Sequence, residues 1–180
     1  MNPFIVISIL LWIAVFVYWL IRSQKQGIMN EIAGLIKLAL SGLIIFIPVI
    51  FLSVLYLYKP LFLLNIIGTG IVAFGFILCI VSREYLAQNW SGKVVIQAEH
   101  TLVQNGPYKI LRHPIYSGVL IMMLGSSLLA GNLLGFVWFV FSFFGLYRKS
   151  KQEEELLITK FGDSYEQYKK STSMIIPKIL

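Results

Sequence analysis

The chain has 180 residues, of which 58% are hydrophobic and 13% charged, with a mean hydropathy of +0.81. Soluble domains carry about 25% charged residues, so this composition excludes an ordinary water-soluble enzyme and describes a one-domain membrane protein. The formal net charge of +7 fits membrane topology and attraction to anionic headgroups. It does not indicate nucleic-acid binding, which needs basic and aromatic residues alternating on a soluble face.

In chain order, four runs lack any formal charge: Asn2–Ile21, Leu38–Tyr58, Pro60–Ser82 and Pro114–Tyr147, of 20, 21, 23 and 34 residues. As helices, each of the first three crosses a hydrocarbon core of about 30 Å. The first lacks a basic flank and a small-residue cleavage site, so it is expected to be a retained span. The third holds the lone Cys79. It is expected to be buried filler, since apolar surroundings disfavour a thiolate. The fourth would make a helix of roughly 51 Å, too long for one crossing. Ala130-Gly131-Asn132 is a natural break at its middle, which predicts a tight hairpin of two short helices. The fold class is therefore an all-α integral membrane protein of about five transmembrane helices.

Lys and Arg set the orientation. Arg22, Lys25 and Lys37 lie in the first loop, Lys59 alone in the second, and Arg83, Lys93, Lys109 and Arg112 in the third. The tail carries seven more, from Arg148 to Lys178. The positive-inside rule puts the first loop, third loop and tail in the cytoplasm, with the N-terminus and the Gly131-Asn132 turn outside. The third loop, Arg83–His113, has turn signals at Ser91-Gly92 and Asn105-Gly106-Pro107. Between them VVIQAEHTLV reads as a short strand or extended segment. A loop of this length is more often functional than passive. The tail reads as a helix from Arg148 to Tyr168, broken or capped near Phe161-Gly162-Asp163.

Two polar blocks bracket the hairpin. At Arg112-His113-Pro114 a helix begins, because proline is favoured in the first helical turn. Its free N–H groups and positive dipole end form an anion site. The plain alternative is membrane-edge anchoring by Arg112 and capping by His113. Beyond the hairpin, Glu153-Glu154-Glu155 follows Arg148, Lys149 and Lys151. Alone these are i,i+4 ion pairs on a solvated face, worth a few tenths of a kcal/mol each. Together the blocks match a cofactor carrying a carboxylate, an ammonium, ribose hydroxyls and an adenine. His113 with the following helix, Glu153, and Tyr108 with Leu102-Val103 supply a cation, an acid and flat apolar contacts.

These residues carry a resemblance. Asn89-Trp90-Ser91-Gly92, Gln97 with His100-Thr101-Leu102-Val103 and Gly106-Pro107-Tyr108, Arg112-His113-Pro114 with Tyr116 and Gly118, and Glu153-Glu154 with Phe161-Gly162, Tyr165 and Tyr168 together resemble the isoprenylcysteine carboxyl methyltransferase family. More loosely they are similar to the integral membrane methyltransferases that include phospholipid N-methyltransferases. The resemblance covers roughly Arg83 to Pro177. It implies S-adenosylmethionine as methyl donor, held in a cytoplasmic pocket made by the third loop, hairpin and tail. It further implies that Gln97, His100, Thr101, Leu102, Val103, Tyr108, His113, Pro114, Ile115, Tyr116 and Glu153 contact the cofactor. His113 and Glu153 are expected to hold its opposite ends. Residues 1–82 then supply three membrane helices and 83–180 the catalytic region, with hairpin 114–147 and tail helix 148–170. No metal is expected.

The family's substrate-side arginine, four residues before that glutamate, falls on Lys149, with Arg148 beside it. Lysine keeps the charge but loses the planar fork that grips a carboxylate bidentately. Methyl transfer from a sulfonium is an in-line displacement, helped mainly by orientation worth about 7–11 kcal/mol. A carboxylate acceptor is already ionised and needs only a cation, Lys149 or Arg148, to aim it. An amine acceptor must lose a proton, for which Glu154 or His113 is the candidate base. The expected function is methylation of a lipid-like or prenylated acceptor at the membrane interface, as carboxyl O-methylation. The alternatives are phospholipid or amine N-methylation, a membrane NADPH-dependent reductase of sterol-reductase type, and a non-enzymatic scaffold. The expected partners are that acceptor and membrane lipids, with no obligate protein partner.

Overall fold

The computed structural model describes residues 2–25, 62–86, 102–131 and 133–179. The expected span Leu38–Tyr58, the Ser91-Gly92 turn, most of the VVIQAEHTLV segment, and Gln97, His100 and Thr101 lie outside the described residues. Five α-helices are described: α1 Pro3–Lys25, α2 Phe62–Leu86, α3 Pro114–Ala130, α4 Leu133–Phe161 and α5 Asp163–Ser171. A short 3₁₀ turn, Gly106–Lys109, precedes α3. Two stretches, Pro3–Arg22 and Phe62–Leu86, are long and apolar enough to cross a membrane.

The α2 helix runs one turn beyond the uncharged stretch, through Arg83-Glu84-Tyr85-Leu86. No breaker lies there, and polarity alone does not end a backbone ladder. Its contact with α3 is made by small residues. A Cβ on Gly75 would lie 2.6 Å from the Gly118 carbonyl oxygen, and one on Gly125 would lie 2.7 Å from that of Gly68. Such small-residue stripes let helix backbones approach closely where lipid removes any hydrophobic drive for association. Trp12 and Val15 of α1, Val72 and Cys79 of α2, and Val119, Met122, Met123 and Leu129 of α3 form the apolar core around this crossing. Cys79 is fully buried, as its apolar setting predicts. Polar pins join α1 to α3: the Trp12 indole N–H donates to Ser126 Oγ at 3.0 Å, and Ser8 and Ser126 hydroxyls lie 3.3 Å apart.

The turn expected at Gly131 is present, although the second helix is not short. Gly131 takes φ 62°, a left-handed conformation that costs glycine nothing, and closes α3 by donating its N–H to Ser127 O at 3.1 Å. Ser127 Oγ also donates to Gly135 O at 2.9 Å, tying the two helices at the turn. Beyond it, α4 does not stop where the charges begin at Arg148. It is one helix of 29 residues, about 43 Å long, ending at Phe161. The residues around Arg148 are good helix formers without Gly or Pro, so the ladder continues from the apolar half into the polar half. The expected break at Gly162 is present, with φ 50°, and α5 turns back from it.

The remaining tail packs under the hairpin. Met174 and Ile175 are buried with Leu120 of α3, against Phe139, Phe143, Leu146 and Tyr147 of α4. Their backbone pairs with the segment entering α3. Arg112 N–H donates to Ser173 O at 2.8 Å, His113 N–H to Met174 O at 3.0 Å, and Ser173 N–H to Ile110 O at 3.0 Å.

Candidate active site

Pro114 occupies the first position of α3, with His113 just before it. The His113 side chain makes no capping hydrogen bond; it turns instead toward α4. That helix brings Glu153 and Glu154 to the start of α3, 40 residues away along the chain. His113 Nδ1 lies 3.4 Å from Glu153 Oε2, and His113 Nε2 lies 3.6 Å from Glu154 Oε1. Tyr116 donates its hydroxyl to Glu153 Oε1 at 2.5 Å. Its ring stacks on the imidazole, with centroids 5.5 Å apart and planes 3° from parallel. Two carboxylates thus meet the positive end of a helix, where their charge is favoured.

The two glutamates differ in access. Glu154 is closed in, with 4% of its side chain exposed, and accepts from Arg112 Nε at 2.5 Å. The Glu153 side chain keeps 20% exposure, so it is open to a further cation. Burial alone would lift both carboxyls, but His113 with Tyr116 at Glu153, and His113 with Arg112 at Glu154, hold them below the usual range. Burial would likewise strip the imidazole of its proton, yet Glu153 and Glu154 outweigh it and raise the His113 pKa. The two carboxylates thus bias His113 toward its protonated form.

Lys149 lies one helical turn before Glu153, its Nζ 5.4 Å from the centre of the Tyr116 ring, a cation–π distance. Arg148 is exposed; a step of one residue turns a side chain by about 100° around the helix. The structure thus brings Lys149, and not Arg148, beside Glu153. Tyr108 is buried, and Tyr168 of α5 donates to its carbonyl at 2.7 Å. Pro114 and Ile115 are buried at the start of α3, with Ile115 O facing Cys79 Sγ at 3.6 Å. Leu102 and Val103 are half-buried in the irregular segment before the 3₁₀ turn.

One expected arrangement is corrected. His113 and Glu153 lie against each other and do not face across a gap, so they cannot hold opposite ends of one cofactor. Glu154, a candidate base, is closed off behind His113 and charge-paired with Arg112. Sequence reasoning gave Arg112 no part beyond the start of the helix or the membrane edge, and it gave the Thr172–Ile175 tail no role. The faint signal for the tail was the apolar Met174-Ile175 pair after a charged helix.

The donors fit S-adenosylmethionine. A partly exposed carboxylate and a nearby cation suit an ammonium and an anionic acceptor.

Comparison with known proteins agrees. The model of the isoprenylcysteine carboxyl methyltransferase (ICMT) family matches residues 66–159. The protein-S-isoprenylcysteine O-methyltransferase of Schizosaccharomyces pombe is 34% identical over 173 residues, 89% of this chain and 71% of that protein. The Dictyostelium discoideum enzyme of the same name is also 34% identical, over 63% of this chain and 49% of its own length. A solved eukaryotic intramembrane Ras methyltransferase ICMT superposes with a TM-score of 0.59 at 26% identity, covering 63% of this chain and 42% of that one. The chain thus spans about half or less of the last two. With its apolar helices it is a membrane protein, and it belongs to the isoprenylcysteine carboxyl methyltransferase family.

Proposed function

We propose that this chain transfers a methyl group from S-adenosylmethionine to the carboxylate of a prenylated cysteine at the cytoplasmic face of a membrane. The observation that carries the reading is the buried cluster of Arg112, His113, Tyr116, Glu153 and Glu154, in which the two motif blocks meet around one open carboxylate. S-adenosylmethionine would supply the methyl group as an activated sulfonium. Glu153 would receive its ammonium, with His113, Pro114, Ile115, Tyr116, Tyr108, Leu102 and Val103 lining the remainder and Gln97, His100 and Thr101 added from the third loop. Lys149 would aim the anionic acceptor.

The burial and pairing of the candidate bases favour a carboxylate over an amine. Glu154 is closed in and paired with Arg112, and His113 is buried between two carboxylates, so neither is placed to take a proton from an ammonium. A carboxylate needs no base. The membrane admits a prenyl tail laterally while its head meets the cofactor. Five spans, with an outside N-terminus and a cytoplasmic tail, would place all these groups on one face. Cysteines introduced at Ser23 and Ser171 should then both be labelled from the cytoplasmic side, and labelling of either only from outside would reverse the topology.

The deciding experiment supplies methyl-labelled S-adenosylmethionine with an S-prenylcysteine and, separately, with phospholipid vesicles. Label should enter the prenylcysteine as an ester and leave as volatile methanol in alkali. Base-stable label in lipid amines would overturn the carboxyl reading.

A further inference from the structure

The Arg112–Glu154 pair stands on the other side of the His113 ring from the open Glu153, and methyl transfer as read above gives it no task. Glu154 Oε1 lies between Arg112 Nε at 2.5 Å and His113 Nε2 at 3.6 Å. Arg112 is in turn fixed by the chain's own C-terminus. Its Nη1 donates to Lys169 O at 3.2 Å and to Thr172 O, and its backbone N–H donates to Ser173 O. Just beyond, Ser117 Oγ donates to Ile175 O at 2.6 Å. A continuous set of contacts therefore runs from the tail through Arg112 and Glu154 to the imidazole.

We propose that Arg112 and Glu154 are positioning residues: anchored by the C-terminal tail, they hold the His113 ring so that its Nδ1 faces Glu153 and fix the acid that receives the cofactor's cationic end. This rests on the cofactor reading above. Adjacent residues on a helix diverge by about 100°, so Glu153 and Glu154 both reach one imidazole only because it lies over the gap between them. Among the described residues His113 Nε2 makes no hydrogen bond, so Glu154 acts on the ring through its charge at 3.6 Å. A carboxylate as closed in as Glu154 must be paired. Arg112 pairs it with the Nε edge of a rigid fork while Nη1 grips the tail, a division of labour a lysine ammonium does not reproduce. Among the described residues, the charged and titratable groups around His113 are Lys149, Glu153 and Glu154 from α4, Arg112 and Tyr116 at the start of α3, Tyr108 from the 3₁₀ turn, and Tyr165 and Tyr168 from α5.

The chain contains two histidines, His100 and His113. Histidine-selective ¹⁵N labelling of the full chain in micelles therefore gives two sets of ring signals, assigned with His113→Gln. Two quantities are read: the titration midpoint of His113 without ligand, and the affinity for S-adenosylhomocysteine by calorimetry. The wild-type midpoint should lie above the ordinary 6.5. Glu154→Gln should lower it by about one pH unit and weaken S-adenosylhomocysteine binding roughly fivefold or more. Glu155→Gln, its exposed neighbour, should change neither. Should Glu154→Gln not fold, Arg112→Lys replaces it, with a weaker affinity expected and a midpoint still raised. A wild-type His113 already neutral at pH 6.5, an unchanged midpoint in Glu154→Gln, or a shifted midpoint with wild-type affinity would each overturn the proposal. A shifted midpoint in a protein whose wild type binds no S-adenosylhomocysteine would sink the cofactor reading and leave the clamp on His113 standing.

Discussion

Where α2 crosses α3, Gly68, Gly75, Gly118 and Gly125 bring two backbones together with no charge involved. Where α4 meets the start of α3, the contact is instead made by two carboxylates, a guanidinium and an imidazole, nearly all closed to solvent. The first contact is governed by volume, and dispersion rewards every atom that fits. The second is governed by charge balance, because a buried ion left alone costs far more than a small void. The apolar crossing can carry a scaffold, whereas the charged one leaves one side of the Glu153 carboxylate partly exposed.

The comparison breaks most clearly if one charge is removed. Arg112→Ala leaves Glu154 buried without its cation, and the protein should lose about 3–5 kcal/mol of stability. Unfolding in mixed micelles measures this, and a wild-type denaturation midpoint would show that the pair is not buried in the folded protein. Overpacking the other crossing should cost less. Gly75→Val places a Cβ against the Gly118 carbonyl and Met122, a loss of roughly 1–3 kcal/mol in the same assay. If Gly75→Val were neutral, the close approach of α2 and α3 would not be real.

Substitutions at the open end of the cluster should report on binding before stability. His113→Ala and Glu153→Ala should each weaken S-adenosylhomocysteine binding about tenfold, or 1.4 kcal/mol. Wild-type calorimetry in both would remove the pocket. Lys149→Ala should raise the KM for the prenylated acceptor severalfold with cofactor affinity nearly unchanged, and Lys149→Arg should retain activity because the fork is restored. Unaltered kinetics in Lys149→Ala would assign that lysine to the membrane edge.

The finest effect is on pH. His113 is raised above its ordinary 6.5, so its contribution to stability is complete below pH 6.5 and fades as pH rises through the raised value. Glu153 and Glu154 are lowered from 4.5, so theirs is complete above pH 4.5 and fades as pH falls below it. The cluster is held most firmly between these limits. The melting difference between wild type and His113→Gln should therefore shrink from pH 6 to pH 9; a difference that grows would reverse the sign.

Much of this was written locally in the chain. Pro114 after His113 marks the start of α3, Gly131 the hairpin, and Gly162 the break before α5, because each is a backbone preference of one residue. The charge-free runs gave the membrane setting, and separated blocks of polar residues gave the family. The continuity of α4 was hidden because a change of polarity at Arg148 looks like a boundary, although a helix needs only an unbroken ladder. The contact of His113 with both glutamates, the closing of Glu154 by Arg112, and the docking of Met174-Ile175 beneath the hairpin were decided by tertiary structure. They join residues from 27 to more than 40 positions apart, and which of two adjacent carboxylates is buried depends on the angle at which α4 passes the start of α3, a quantity that no local preference encodes.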